Sequence, residues 1–201
     1  VDAAALRFVP ANEATAADLQ AVFGERGDAA GCQCQWYRMP VTAFHDTPRE
    51  VLAERLAEQS HCGEPHADST TGFLAFEGDD PIGWCAVAPR TDTVRLATMR
   101  VPWVGRPDED RSAEDVWAVT CFTVRVGHRG RGVAQALAVA AVEFARERGA
   151  AAVEGYPIVT RPGKRAAAGE LFVGDRDWFA QAGFVEVARP SERRAVMRVD
   201  F

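Results

Sequence analysis

The segment that constrains this chain most runs from Val116 to Tyr156. Val116-Trp-Ala-Val-Thr-Cys-Phe-Thr-Val124 is a near-continuous apolar and β-branched run, the pattern of a strand covered on both faces. Val126-Gly-His-Arg-Gly-Arg-Gly132 then interrupts it with three glycines. From Val133 to Arg148 a helix is predicted, with Val133, Leu137, Ala140, Ala141 and Phe144 along one face and Gly149 as its stop. Ala150 to Tyr156 reads as a second buried strand, ended by Pro157. Strand, glycine turn, helix and strand form a βαβ unit, which requires a parallel or splayed strand pair and a right-handed crossover.

The flanking sequence supplies the rest of the layers. Asp18 to Phe23 reads as a short helix and Pro48 to Ser60 as a clearer one, so residues 1–70 are expected to be helical. Gly72 to Glu77, the turn Gly78-Asp-Asp-Pro81 and Ile82 to Ala88 predict a strand pair. After a loop from Arg161 to Gly169, a short helix around Asp177 to Ala182 and strands at Phe184–Ala188 and Ala195–Val199 finish the chain. The hairpin and the βαβ unit are expected to share one mixed sheet in an α+β fold. Residues 89–115 are rich in proline and charge, and the acidic run Asp108 to Asp115 reads as a solvated loop, with a patch for a cationic substrate as its alternative.

Composition narrows the function classes. A chain of 201 residues, 47% hydrophobic and 26% charged, has room for one generous domain spanning 1–201 and is unlike a disordered chain. Its longest apolar run, Ala136 to Val142, is far short of a membrane span, and VDAAALRFVP shows no secretory leader, so a soluble cytoplasmic protein is expected. A net charge of −6 argues against nucleic acid as partner but leaves room for a local anion site. Of 23 basic residues only Lys164 is lysine, and with 36 alanines this is the bias of a GC-rich, bacterial genome. Arginines that bind anions must therefore be chosen by position. The odd count of five cysteines points to reduced thiols. Cys32, Cys34, His61, Cys62 and His66 invite a zinc reading, but one residue between Cys32 and Cys34 is closer than zinc motifs place them, and no metal is predicted.

A glycine-rich turn opening a helix is an anion site: glycines admit close approach, and the first helical N–H groups point outward with the positive end of the dipole. Gly132 is followed by Val133 and not by Lys-Ser/Thr, which excludes a Walker loop. From Gly130 the dinucleotide fingerprint fails at Gln135. The pattern that fits is R-x-x-G-x-A, as Arg129, Gly132 and Ala134, preceded by Val124 and followed by Leu137. It resembles the acyl-CoA pyrophosphate loop of the GNAT N-acetyltransferase superfamily. Trp178-Phe179-Ala-Gln-Ala-Gly183-Phe184 is similar to that family's aromatic-x-x-x-Gly-Phe signature. The likeness covers residues 116–188 and, in element order, reaches back to residue 71.

The resemblance implies a mixed sheet splayed between its fourth and fifth strands, here Val116–Val124 and Ala150–Tyr156, flanked by helices and holding acyl-CoA in the wedge. It implies acetyl-CoA or another acyl-CoA as co-substrate, bound by Phe122, Val124 and Val126 along the pantetheine arm. Arg129, Gly130, Arg131, Gly132, Val133 and Ala134 would hold the pyrophosphate, with Phe179 also on the cofactor. It implies direct acyl transfer to an amine, with residues 1–70 on the acceptor side, 71–201 forming the sheet and CoA core, and a homodimer compatible with it. The alternative is a non-catalytic acyl-CoA-binding module of the same fold.

Amine acylation needs a proton acceptor, since an alkylamine of pKa about 10.4 is mostly protonated at neutral pH. Glu154 is the one ionisable group within the apolar strand Ala150–Tyr156; there a raised pKa would suit a base, whereas an outward-facing Glu154 would be merely solvated. Many family members place a tyrosine acid where this chain has Phe179. Tyr156 is the substitute acid, or else a strand-end aromatic with its hydroxyl in water. Cys121 would be a nucleophile or, more simply, a buried small side chain. Trp36 and Tyr37 would line an acceptor pocket or join the core.

Overall fold

The structure, a computed structural model, describes residues 6–161 and 166–201; part of the expected loop Arg161–Gly169 lies outside the described residues. Seven strands form one sheet: β1 (Leu6–Pro10), β2 (Gly72–Glu77), β3 (Asp80–Pro89), β4 (Val116–Val124), β5 (Ala152–Gly155), β6 (Val185–Ser191) and β7 (Arg194–Asp200), in the order β1-β2-β3-β4-β5-β7-β6. Among these described strands only β4 and β5 pair in parallel; every other neighbouring pair is antiparallel. The helices are α1 (Ala16–Phe23), α2 (Asp28–Cys32), α3 (Val41–Asp46), α4 (Arg49–Gln59), α5 (Val133–Glu147) and α6 (Arg176–Gln181). None is long and apolar enough to cross a membrane. The mixed α+β fold matches expectation.

The first seventy residues are not wholly helical. Leu6–Pro10 pairs with β2 from Leu6↔Glu77 to Pro10↔Phe73, and its alternation is masked by one Arg and the terminal Pro. The helix read from Asp18 begins two residues earlier. Thr15 caps it: its side chain accepts from Asp18 N–H at 3.1 Å, while Asp18 Oδ2 accepts from Thr15 N–H at 2.9 Å, a reciprocal capping box.

The sheet is packed on both faces. On one, α5 lays Val133, Leu137, Ala141 and Phe144 against Phe73, Cys85, Val87 and Trp117. Gly83 makes this close approach feasible, because a Cβ there would stand 3.0 Å from Val133 Cγ1 and 3.1 Å from Leu137 Cδ1. On the other face, Leu19, Val22 and Phe23 of α1 and Leu56 of α4 cover Leu74, Trp84 and Ala86.

β4 is where the layers are arranged for a site. It pairs with β3 as Cys121↔Ala86 but then Val119↔Val87, so Thr120 is an extra residue opposite β3, a bulge that bends the strand. Its parallel pairing with β5 runs only from Val116↔Ala152 to Val119↔Gly155. Beyond that point the strands part, and among the described residues no strand pairs with 120–124 on the β5 side. The α5 side of the opening is filled by aromatic rings: Phe179 lies 5.7 Å from Phe122 and 4.9 Å from Phe184, centroid to centroid. A Cβ on Gly155 would overlap the Phe179 ring. Gly155→Ala is therefore expected to lower stability by about 1–3 kcal/mol in urea unfolding, with Phe179→Leu restoring part of the loss. An unchanged midpoint would mean that ring and strand are free to separate.

Candidate functional site

β4 ends in a loop built for close approach. Gly127, Gly130 and Gly132 have φ of 93°, 73° and 83°, left-handed values that disfavour any residue with a Cβ. Gly132 caps α5, and the first amide bonded within the helix is Ala136, to Gly132 O at 3.0 Å. The N–H groups of Val133, Ala134 and Gln135 are thus without intrahelical partners, at the positive end of a 15-residue helix. Val126, 77% exposed, is an unusually bare valine beside them.

The loop opens into a cavity of about 1310 Å³. One wall is the unpaired half of β4 with Cys121, Phe122 and Val124; the opposite wall is the α1–α2 connection and α2 with Cys32 and Cys34; Trp36, Phe44 and Trp178 add an aromatic rim. Val126, Arg129, Gly130, Gly132, Val133 and Ala134 line the cavity at the glycine loop. The sequence-predicted loop and strand residues therefore share one cavity, with two exceptions. Arg131 turns its guanidinium to Glu77, donating at 2.6 and 3.2 Å, and contacts His128 Nδ1 at 2.9 Å, so its charge is largely offset. Phe179 is fully buried in the core, and its neighbour Trp178 stands on the cavity wall instead.

The model of the Acetyltransferase (GNAT) family matches residues 34–168, more than half of the chain. The chain belongs to the GNAT acetyltransferase family. No curated protein matches its sequence. Among solved structures it is similar to a GCN5-related N-acetyltransferase from Kribbella flavida, at 16% identity and TM-score 0.54 over 98% of this chain and 99% of that one. It is also similar to an acetyltransferase at 17% identity and TM-score 0.56 over 97% and 98%. A GNAT-family protein from Desulfovibrio desulfuricans matches at 17% identity and TM-score 0.50, over 98% and 99%. At these identities the likeness is one of fold. The parallel β4–β5 pair that opens beyond Val119 is the splay expected of a GNAT sheet.

The raised carboxyl pKa expected of Glu154 is overturned. Its side chain is fully buried but every oxygen is engaged. Arg198 Nη1 donates to Oε1 at 2.8 Å, Arg90 Nη1 and Arg106 Nη1 donate to Oε2 at 3.2 Å, and Arg106 Nη2 also binds Oε1. Burial pushes the carboxyl up, but the hydrogen bonds and charges of Arg106, Arg198 and Arg90 outweigh it and hold it below the usual range. Tyr156 does not reach water: it is 2% exposed and donates its hydroxyl to Glu154 at 2.9 Å. Burial and that carboxylate push the phenol well up. Neither residue is on the cavity wall. Glu109 joins the same cluster, accepting from Arg90 at 2.8 Å and Arg198 at 3.2 Å, so the acidic run is partly folded back and not wholly solvated. Tyr37 is core and Trp36 is cavity wall, stacked under the Arg95 guanidinium at 3.8 Å. Among the described residues, no three His, Cys, Asp or Glu side chains stand together as metal ligands.

Glu154→Gln leaves three guanidiniums short of a counter-charge and is expected to cost about 3–5 kcal/mol of stability near neutral pH. Because the folded pKa lies below the unfolded one, the carboxylate's contribution is complete above about pH 4.3 and fades as pH falls through the lower folded value. Urea midpoints measured across acidic pH should therefore show wild type and variant converging. A gap independent of pH would contradict this.

Proposed function

We propose that the protein is an N-acyltransferase that moves an acetyl or other acyl group from acyl-CoA to the amine of a small molecule or peptide. The observation that carries it is the continuity of the α5 amide end with the unpaired half of β4 in one cavity. Such a groove offers main-chain N–H groups and Arg129 to a pyrophosphate, then a run of bare strand main chain to an amide-bearing arm. Phe122, Val124 and Val126 lie along that arm, and Gly130, Gly132, Val133 and Ala134 surround the phosphates. The family uses acetyl-CoA, which supports the choice of donor. Arg129 is itself held by its Nε donating to Val124 O at 3.0 Å, which orients it without neutralising it.

The acceptor would enter over the aromatic rim, where Trp36 and Phe44 pack edge to face with centroids 5.4 Å apart. Glu25, Arg26 and Asp28 on the α1–α2 connection give this side of the cavity mixed charge. The residues from 6 to about 70 thus act on the acceptor side, and 71–201 hold the donor, within one domain.

The decisive experiment is release of free CoA thiol from acetyl-CoA across a panel of amines, run beside calorimetric CoA binding. Binding with turnover is the expected result. Binding with no turnover on any amine would favour a non-catalytic acyl-CoA module, and no binding would end the reading. Gly132→Glu places bulk and negative charge against the phosphate end, and loss of one or two charge-assisted bonds should weaken CoA by about tenfold or more. Unchanged affinity in a folded variant would remove the loop from the donor site.

A further inference from the structure

Trp36 stands on the cavity wall with one face of its indole already taken. The Arg95 guanidinium lies over the ring, 3.8 Å from its centroid, and is tied there by Nη1, which donates to Trp36 O at 2.9 Å. The backbone fixes the same arrangement, since Arg95 N–H donates to Tyr37 O at 3.2 Å. Arg95 itself is not on the cavity wall, so what the cavity meets is an indole with a cation behind it. Among the described residues no carboxylate pairs with that guanidinium. Phe44, also on the wall, meets Trp36 edge to face, and His45 lies edge-on to both, at 6.3 Å from Trp36 and 5.5 Å from Phe44.

This arrangement bears on the charge of the acceptor. A bare indole attracts a cation through its π electrons. Here those electrons are already drawn toward Arg95, and a second cation on the ring would also meet the charge behind it. A neutral, electron-rich ring suffers neither cost and gains offset or edge contacts with Trp36 and Phe44. The glycine-loop end of the same cavity is positive as well, through the first amides of α5 and Arg129. A protonated acceptor is therefore disfavoured along the whole groove.

The proton inventory leads the same way. An alkylamine is almost wholly protonated at neutral pH and must lose a proton before it can attack. Glu154 is held by three arginines and is not on the wall. The wall carboxylates Glu25 and Asp28 are exposed and flank Arg26, and His128 belongs to the glycine loop, with Nδ1 2.9 Å from Arg131. An amine attached directly to an aromatic ring needs none of them, because its lone pair is delocalised into the ring and it is unprotonated at neutral pH.

We propose that the acceptor is an aromatic amine, a small molecule whose amino group sits on the ring itself, and that Trp36, backed by Arg95, is the platform that selects it. This rests on the acyl-CoA transferase reading above. The ring-bound nitrogen attacks the thioester carbonyl carbon and a C–N bond forms. The bond from that carbon to the CoA sulfur breaks, and the proton shed by nitrogen goes to the departing thiolate. The products are a neutral amide and CoA thiol, with no proton removed before attack.

The test compares aniline, phenethylamine and butylamine as acceptors of the acetyl group from acetyl-CoA, followed by release of CoA thiol. Aniline should give the highest kcat/KM, by about tenfold or more, with no alkaline rise between about pH 6 and 9 of the kind amine deprotonation imposes. Trp36→Leu should raise the KM for aniline about three- to tenfold, with kcat and the calorimetric affinity for CoA nearly unchanged, while Trp36→Phe keeps most of the wild-type KM. Arg95→Gln should narrow the gap between aniline and phenethylamine, which a purely structural role would not do. Preference for either alkylamine, equal efficiency on all three, or a wild-type KM for aniline in Trp36→Leu overturns the proposal and leaves the acyltransferase reading in place. If wild type binds no CoA, or binds it and acylates no amine, the transferase reading fails and the acceptor proposal fails with it.

Discussion

Thr120 is the residue that β4 carries in excess of β3, and the strand bends there. Two consequences follow from the one insertion. Side-chain alternation shifts by one, so that Trp117, Val119 and then Phe122 face the α5 layer while Cys121 is turned to the α1 side. The direction of the strand also changes, and pairing with β5 ends at Val119↔Gly155. A strand that loses its neighbour while buried leaves main-chain groups without ladder partners, a cost that only a ligand or water can relieve. The bulge therefore makes the cavity and fixes what is exposed in it.

A wedge keeps its angle only if its closed end is rigid and its filled side cannot collapse. The closed end is tied by Glu154, whose carboxylate gathers Arg198 from β7, Arg90 from just past β3 and Arg106 from the following loop. Glu154 lies directly across the β5–β7 ladder from Arg198, so the ion pair is also a register mark. Buried ion pairs of this kind give up much of their Coulomb energy to desolvation; what the cluster supplies here is a fixed geometry. Trp103 seals it, with the Arg90 guanidinium 4.8 Å above its ring and its own N–H donated to Leu96 O at 2.6 Å. On the filled side, Phe179 is wedged between Gly155 and Gly174, where no side chain could be accommodated without moving the ring.

The parts legible in the sequence were those with strong periodicity or glycine punctuation. The β2–β3 hairpin, β4, the glycine loop and α5 could be located from local pattern alone, because helical stripes and turn residues are local properties. β1 was not legible: Leu6-Arg-Phe-Val-Pro10 becomes a strand by pairing with β2, sixty residues away, and has too little alternation of its own. The bulge was equally hidden, since Val116–Val124 is apolar throughout and an extra residue leaves no trace in a continuous run. Glu154 could be singled out, but its partners could not. With 22 arginines in the chain, nothing in the spacing distinguishes Arg90, Arg106 and Arg198 from the rest, so burial stood as one of two alternatives and its compensation was not legible. The Cys32-Gln-Cys34-Gln35 tract stood out by composition, but the partners of its buried glutamines, Gln20 and Gln59, lie on α1 and α4 and could not be read from the tract itself.

The chemistry available on the wall follows from the field that the donor requires. The cavity is positive at its loop end, through the amides of α5 and Arg129. A positive potential lowers the pKa of an acid near it. For a carboxyl group the shift is in the wrong direction, away from neutrality, and a base of useful strength would need strong desolvation to counter it. For a thiol, starting at about 8.5, the same field acts toward neutral pH while burial acts away from it, and on Cys32 burial prevails and pushes the thiol up to about 11. With the β5 carboxylate of Glu154 held by three arginines away from the cavity, what the wall itself presents is a positive helix end, a strand edge without a neighbour and a rim of aromatic rings.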